Sequence, residues 1–201
     1  VGLAFAARHG ARLNQLLVLA AAHRPNPLAS AQRAVQRGIV RLGLQQGCVD
    51  QALSLARQLA MTTYRGHTEL GKRFCGGAEW LGDRFKLPVE DWLEHAGQRF
   101  AARFDAQRYL DLSESIDLHD VDPASIHTHT TLIGFTSDRL VPLADLCELQ
   151  QRLGHGATLE VIETIYGHDG FLKQCDAITP LLRAALKPSQ PIESSISRRA
   201  S

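Results

Sequence analysis

The chain has 201 residues, 22 basic against 21 acidic, with 44% hydrophobic and 21% charged side chains. That length suits one ordinary domain with a real hydrophobic core, and the near-zero balance leaves no net field to draw in nucleic acid or an anionic membrane. No apolar run reaches the length that spans a bilayer, and Cys48, Cys75, Cys147 and Cys175 form no CxxC pair, which argues against a metal site or a disulfide framework and fits reduced, cytoplasmic thiols.

The segment Val1 to His9 is rich in alanine and favours a helix, with Gly10 placed to stop it. Leu13 to Ala20 follows as a short apolar run, read as a buried strand. A helix feeding at once into a buried strand is half of a βαβ unit, so a further strand is expected ahead of it. The chain starts at Val1 with neither an initiator Met nor a basic signal-peptide start, and on this reading it is a piece of a longer protein.

From Pro25 to about Asp120 the pattern changes. Ala31 to Leu44, Val49 to Thr63 and Val89 to Phe104 carry helical periodicity, and Gly43, Gly47, Gly66, Gly71, Gly76 and Gly77 punctuate the region as expected turns. A helical stretch of that size between strands is too long for a simple crossover and reads as an inserted cap. The α/β pattern resumes with a strand at Thr130 to Phe135, a helix at Leu143 to Leu153, turn residues Gly154 and Gly156, a strand at Thr158 to Ile165, and a helix at Ala177 to Leu186. The expected organisation is an α/β core in two pieces (1–24 and 121–187), a helical cap (25–120) and a disordered Ser/Pro-rich tail (188–201).

In open α/β sheets functional residues gather beyond the carboxyl ends of the strands. Asp138 and His168 each stand just past one of the two late strands, with one helix between them. A carboxylate that accepts a hydrogen bond from one imidazole nitrogen fixes the tautomer and leaves the other nitrogen as a general base. The order Asp then His is that of the α/β-hydrolase fold, in which the serine comes earliest. The plainer alternatives are an Asp that caps a turn or helix and a histidine of the core or surface. No G-x-S-x-G elbow occurs in these residues, and Ser30, Ser54, Ser113, Ser115 and Ser137 lack its flanking glycines. The first helix has the texture of one that follows an elbow, which places the expected serine a few residues before Val1.

The stretch Val89 to Asp120, Ser137-Asp-Arg-Leu-Val-Pro142 and Tyr166-Gly-His-Asp-Gly-Phe-Leu172 resemble the MetX-type homoserine O-acyltransferases of methionine biosynthesis, and the cap sequence is closer to their succinyl-using branch. The resemblance runs from Val1 to about Leu186, and Val89 to Asp120 is its most specific part. It implies an α/β-hydrolase fold with an inserted helical cap. It implies Asp138 as the residue that orients the base, His168 as the base, and Asp169 as a contact for the amino group of the acceptor. Val35-Gln-Arg-Gly-Ile39 is similar to a cap segment whose arginine faces the active site, here Arg37; Thr63-Tyr-Arg65 is similar to the family's TYxS, which makes Tyr64 a second cap residue near the acceptor. Gly66 stands where that segment usually has Ser. A guanidinium suits a carboxylate because it can bind it bidentately.

The implied reaction is ping-pong transfer of a succinyl group from succinyl-CoA to the hydroxyl of L-homoserine, with acyl-CoA as co-substrate, no metal and no other cofactor. Homoserine O-acetyltransferase from acetyl-CoA and serine O-acyltransferase remain alternatives, as does a non-catalytic binding or dimerisation module. The resemblance also implies a homodimer through the cap helices, and the 201 residues alone are expected to be inactive.

Overall fold

The computed structural model describes residues 1–153 and 156–185. In chain order the elements are α1 (Gly2–His9), β1 (Leu16–Leu19), α2 (Pro27–Gln46), α3 (Val49–Tyr64), α4 (His67–Arg73), β2 (Glu79–Trp80), β3 (Phe85–Lys86), α5 (Pro88–Ala101), α6 (Ala106–Asp117), β4 (Thr130–Phe135), α7 (Leu143–Leu153), β5 (Ala157–Ile162), α8 (Gly170–Lys173) and α9 (Cys175–Ala185). Gly154, Leu186 and the tail 188–201 lie outside the described residues.

Three strands form a parallel sheet in the order β1-β4-β5, with Leu132 of β4 standing between Val18 and Leu159. β4 is the central strand, and five of its six residues are buried. Its side chains alternate between the two faces, as a strand must. Leu132 joins Val18 of β1, Leu3 and Ala6 of α1, and Leu149 of α7 on one face. Ile133 and Phe135 turn to the other face and pack with Ala20 and with Ile178 of α9. Burying both faces is what permits an all-parallel sheet to carry a nearly continuous apolar sequence.

Between β1 and β4 stands a helical unit with its own core. Val40 of α2, Leu53 and Ala56 of α3, and Ala106 and Leu110 of α6 pack together. Its helices start where local chemistry says they should: Asn26 Oδ1 accepts from Leu28 N ahead of Pro27, Asp105 Oδ1 accepts from Arg108 N, and Glu90 Oε1 accepts from Leu87 N. Gly47 closes α2 in the left-handed conformation at φ 70°.

The structure differs from the sequence expectations in several places. Gly10 stays right-handed and carries α1 into a 3₁₀ turn ending at Arg12, so β1 starts at Leu16 rather than Leu13. Gly43 is not a turn but lies inside α2, where a Cβ would stand 2.2 Å from that of Ala52; the glycine lets α2 and α3 approach closely. Gly71 lies inside α4. The helix expected over Val89 to Phe104 ends at Ala101, and α4, the β2–β3 hairpin and α6 were not anticipated as separate elements. β5 ends at Ile162, because Thr164 N bonds the Thr136 hydroxyl in place of the ladder.

The helical unit leaves the sheet after His23 and returns to it at Val121, and one backbone bond, Val121 N to His23 O at 3.0 Å, pins the two ends together. The His23 side chain is fully buried there. Arg152 Nη1 lies 3.2 Å from Nε2, and a guanidinium can only donate, so the ring proton sits on Nδ1. That nitrogen has no hydrogen-bond partner among the described residues. Burial, helped by the Arg152 and Arg24 charges and opposed by Glu148 and Asp120, holds the His23 pKa below 6.5.

The folded pKa is depressed, so the unfolded chain takes up the proton first. The stability His23 contributes is whole above pH 6.5 and is lost as the pH falls through that value toward the folded pKa. Denaturant midpoints measured at about pH 7.5 and about pH 5.5 should fall with acid, and His23→Gln should reduce that fall. An unchanged difference in the variant would mean that other groups carry it.

Candidate active site

Asp138 and His168 occupy the turns that follow β4 and β5, adjacent parallel strands whose carboxyl ends lie side by side. Asp138 is buried and divides its two oxygens between two tasks. Oδ1 accepts from the backbone N–H groups of Leu140 at 2.8 Å and Val141 at 3.0 Å, which makes the turn. Oδ2 lies 2.7 Å from His168 Nδ1. Asp138 is therefore at once a turn-former and the partner of a histidine. An ionised carboxylate only accepts, so Nδ1 carries the proton and Nε2 keeps a free lone pair.

The two turns are cross-linked beyond that pair. Gly167 N donates to Ser137 Oγ at 2.9 Å, and Thr164 N donates to Thr136 Oγ1 at 3.1 Å. Thr136, Ser137 and Asp138 thus each hold one point of the histidine turn. The rings of Phe171 and Tyr64 flank the imidazole at centroid distances of 5.7 and 6.2 Å.

The end of α3 presses on the same turn, backbone against backbone. Gly167 has φ +65°, and a Cβ there would stand 2.6 Å from Gly66 N and 2.7 Å from Tyr64 O. Reciprocally, a Cβ on Gly66 would stand 2.1 Å from Ile165 O. The missing Ser at position 66 thus has a physical reason in this chain, since only glycine fits the gap. The contact brings Tyr64 beside His168.

The other two expected residues stand differently. Asp169 Oδ2 lies 2.9 Å from Arg65 Nε, close enough to pair in charge though not aligned as a hydrogen bond, and Arg65 Nη1 also pairs with Glu69 at 2.9 Å. Arg65 was missed in the sequence, where it read only as the spacer of the tyrosine motif. Arg37 is 12% exposed, and its Nη1 donates to Ser113 O, Ser113 Oγ and Asp117 Oδ2. It holds α2 to α6 and does not line the cavity beside His168; Arg33, one turn earlier on α2, does. Helical spacing alone cannot say which of two arginines four residues apart faces a neighbour and which faces a void.

That cavity has a volume of about 820 Å³ and is walled by Val1 at the start of α1, Ala20 after β1, Arg33 and Gln36 of α2, Tyr64 and His168. Ala20 sits at φ 45°, an uncommon conformation for a residue with a side chain, just where β1 opens into the cavity. A second, shallower depression of about 780 Å³ between α3 and α5 is lined by neither Asp138 nor His168. Among the described residues no group of three or more His, Cys, Asp or Glu side chains could hold a metal ion, and no helix is long and apolar enough to cross a membrane.

A parallel sheet with an Asp and a His on consecutive post-strand turns, and a helical insertion above them, is the architecture of the α/β-hydrolase fold. Solved structures agree on the fold. Esterase E22 superposes with a TM-score of 0.80 at 16% identity over 92% of this chain and 58% of that one. The homoserine O-acetyltransferase of Bacillus anthracis gives 0.82 at 14% identity over 94% and 57%. No protein-family model matches the chain.

Sequence likeness narrows the class. Homoserine O-succinyltransferase of Xanthomonas campestris is 46% identical over 187 residues, which is 93% of this chain and 51% of that protein. Homoserine O-acetyltransferase of Mycobacterium marinum is 38% identical over 156 residues, 71% of this chain and 41% of that protein. The chain is similar to homoserine O-acyltransferases over most of its own length, and it spans about half the length of the curated relatives it matches.

The close approach of Gly66 and Gly167 should be intolerant of any side chain. Gly167→Ala should cost about 1–3 kcal/mol in denaturant unfolding, since it adds a strained left-handed residue and a main-chain clash. A variant as stable as the wild type would mean that the two turns can separate freely.

Proposed function

We propose that the protein transfers a succinyl group from succinyl-CoA to the hydroxyl of L-homoserine. The observation that carries this reading is the 2.7 Å contact between His168 Nδ1 and Asp138 Oδ2, on the wall of a cavity that also reaches the start of α1. In this fold the nucleophilic serine stands on the turn that enters such a helix. Its proton passes to His168 Nε2 as Oγ attacks the thioester carbonyl. The tetrahedral intermediate collapses with loss of the C–S bond, and the imidazolium gives its proton to the leaving CoA thiolate. In the second half the homoserine hydroxyl gives its proton to His168 and attacks the acyl-serine. The C–Oγ bond breaks, and the proton returns to the serine. Backbone N–H groups stabilise each oxyanion.

Asp138 stabilises the imidazolium in both halves. Asp169 offers a carboxylate to the acceptor's ammonium in exchange with Arg65, and Tyr64 packs beside the acceptor. The end of α3 over His168 keeps water from the acyl-enzyme, which favours transfer over hydrolysis. Acyl-CoA is the co-substrate, and this proton relay needs no other cofactor. The preference for succinyl is supported by the higher identity to the succinyltransferase than to the acetyltransferases. The proposal includes a cytoplasmic homodimer paired through the cap. The exposed Trp80, Leu81 and Phe85 of its hairpin support a surface that a second copy covers.

The test is CoA release by the complete gene product with succinyl-CoA or acetyl-CoA, against homoserine or serine. Homoserine-dependent release from succinyl-CoA is expected, and Asp138→Asn should lower it roughly 10⁴-fold by presenting the wrong hydrogen-bond partner to Nδ1. Release without an acceptor would favour an esterase, and no release with any pair would favour a non-catalytic module.

A further inference from the structure

Arg33 and Gln36 stand one helical turn apart on the face of α2 that borders the cavity shared with His168. Each is fixed on one side by the protein and open on the other. Arg33 donates through Nε and Nη2 to Asp117 Oδ1, and Nη2 also reaches Ser30 Oγ at 3.2 Å. Its Nη1 hydrogen-bonds no described residue. Gln36 is 5% exposed, and its Oε1 accepts from the Tyr109 hydroxyl at 3.0 Å. Burial pushes that phenol up to about 12, so it stays a donor, and the amide is oriented with Nε2 turned away from it. Nε2 also hydrogen-bonds no described residue. Neither nitrogen is among the buried atoms that lack a partner, so both border open space. This face of α2 therefore presents two donors that no described residue satisfies.

The local charge agrees. Two guanidinium groups, Arg33 and Arg37, share the single carboxylate of Asp117. Burial would raise the Asp117 pKa, but hydrogen bonds from Arg33, Ser30 and Arg37 outweigh it and hold the carboxyl below the ordinary value, so it remains an anion. One positive charge is left over at the wall. Asp117 itself stands behind the wall; Asp145, the carboxylate that lines the cavity among the described residues, is hydrogen-bonded by Asn26 Nδ2 at 3.0 Å.

We propose that Arg33 Nη1 and Gln36 Nε2 form a subsite for the distal carboxylate of the acyl donor, so that they select a dicarboxylic acyl group over acetyl. The inference rests on the acyl-transfer reading above and deepens it. A donor-only receptor with an excess positive charge suits a carboxylate whose neighbouring carbons are CH₂ groups. An amino-acid carboxylate fits it worse, because its ammonium would stand beside two guanidinium groups. An acetyl group leaves both donors without a partner, which is the kind of mismatch that discriminates strongly between substrates.

The test separates binding from turnover. In the complete gene product carrying His168→Ala, the Kd of succinyl-CoA and of acetyl-CoA is measured by calorimetry, with and without Arg33→Met. The expected result is that Arg33→Met lowers the succinyl-over-acetyl preference about 10- to 100-fold, with Gln36→Leu having the same sign and a smaller size. Gln36→Leu decides alone if Arg33→Met does not fold. Equal weakening of both donors would assign the cation to the CoA phosphates and overturn the proposal, as would no change in either. Failure of the wild type to acylate homoserine would overturn the acyl-transfer reading, while the ratio of the two dissociation constants still decides this one.

Discussion

The pairing of β4 with β5 is the constraint on which the rest of the site depends. The two strands run parallel in unbroken register from Thr130 with Ala157 to Phe135 with Ile162, so their following turns emerge side by side at one edge. Three successive residues of the first turn, Thr136, Ser137 and Asp138, then each take hold of the second. A hydrogen bond between a buried carboxylate and an imidazole is worth little unless both groups are held where they meet. Here the holding is done by backbone, since Asp138 Oδ1 is fixed by two N–H groups of its own turn. The strand core beneath supplies stiffness. Gly134 admits Leu143 and Leu146 of α7 against one face, and Gly170 sits on the Phe135 ring at the other.

Above this pair the helical unit is joined to the sheet in two unlike ways. At His23 and Val121 it is pinned by a backbone hydrogen bond next to a buried imidazole. At Gly66 and Gly167 it is wedged by close packing of bare main chain. The pin sets where the unit leaves and rejoins the core. The wedge sets how near it comes to His168, and so which side chains of α2 and α3 share the histidine's cavity.

Much of this was legible in the sequence, for identifiable reasons. β4 and α7 fall where periodicity placed them, because an apolar strand buried on both faces and an amphipathic helix are the strongest local signals. Asp138 and His168 could be singled out because post-strand turns collect function in this kind of sheet. What escaped was non-local. Gly43 looks like a turn residue until another helix is known to cross it, and the helix α6 was masked by its short connection from α5. Arg33 and Arg37 are indistinguishable by type and nearly so by phase. Both reach Asp117, some eighty residues on, and only the packing around α2 decides that Arg33 borders the cavity and Arg37 does not.

The wedge between Gly66 and Gly167 also bears on how such a protein can change over generations. Because the contact is made by main-chain atoms, the place of the imidazole does not depend on which side chains the cap carries toward the cavity. Residues 33, 36 and 64 can therefore drift, and the shape and charge of the cavity with them, without disturbing the Asp–His pair. The geometry of the Asp–His pair rests on main chain and a sheet, and the lining of the cavity on helix residues that mutation is free to rewrite.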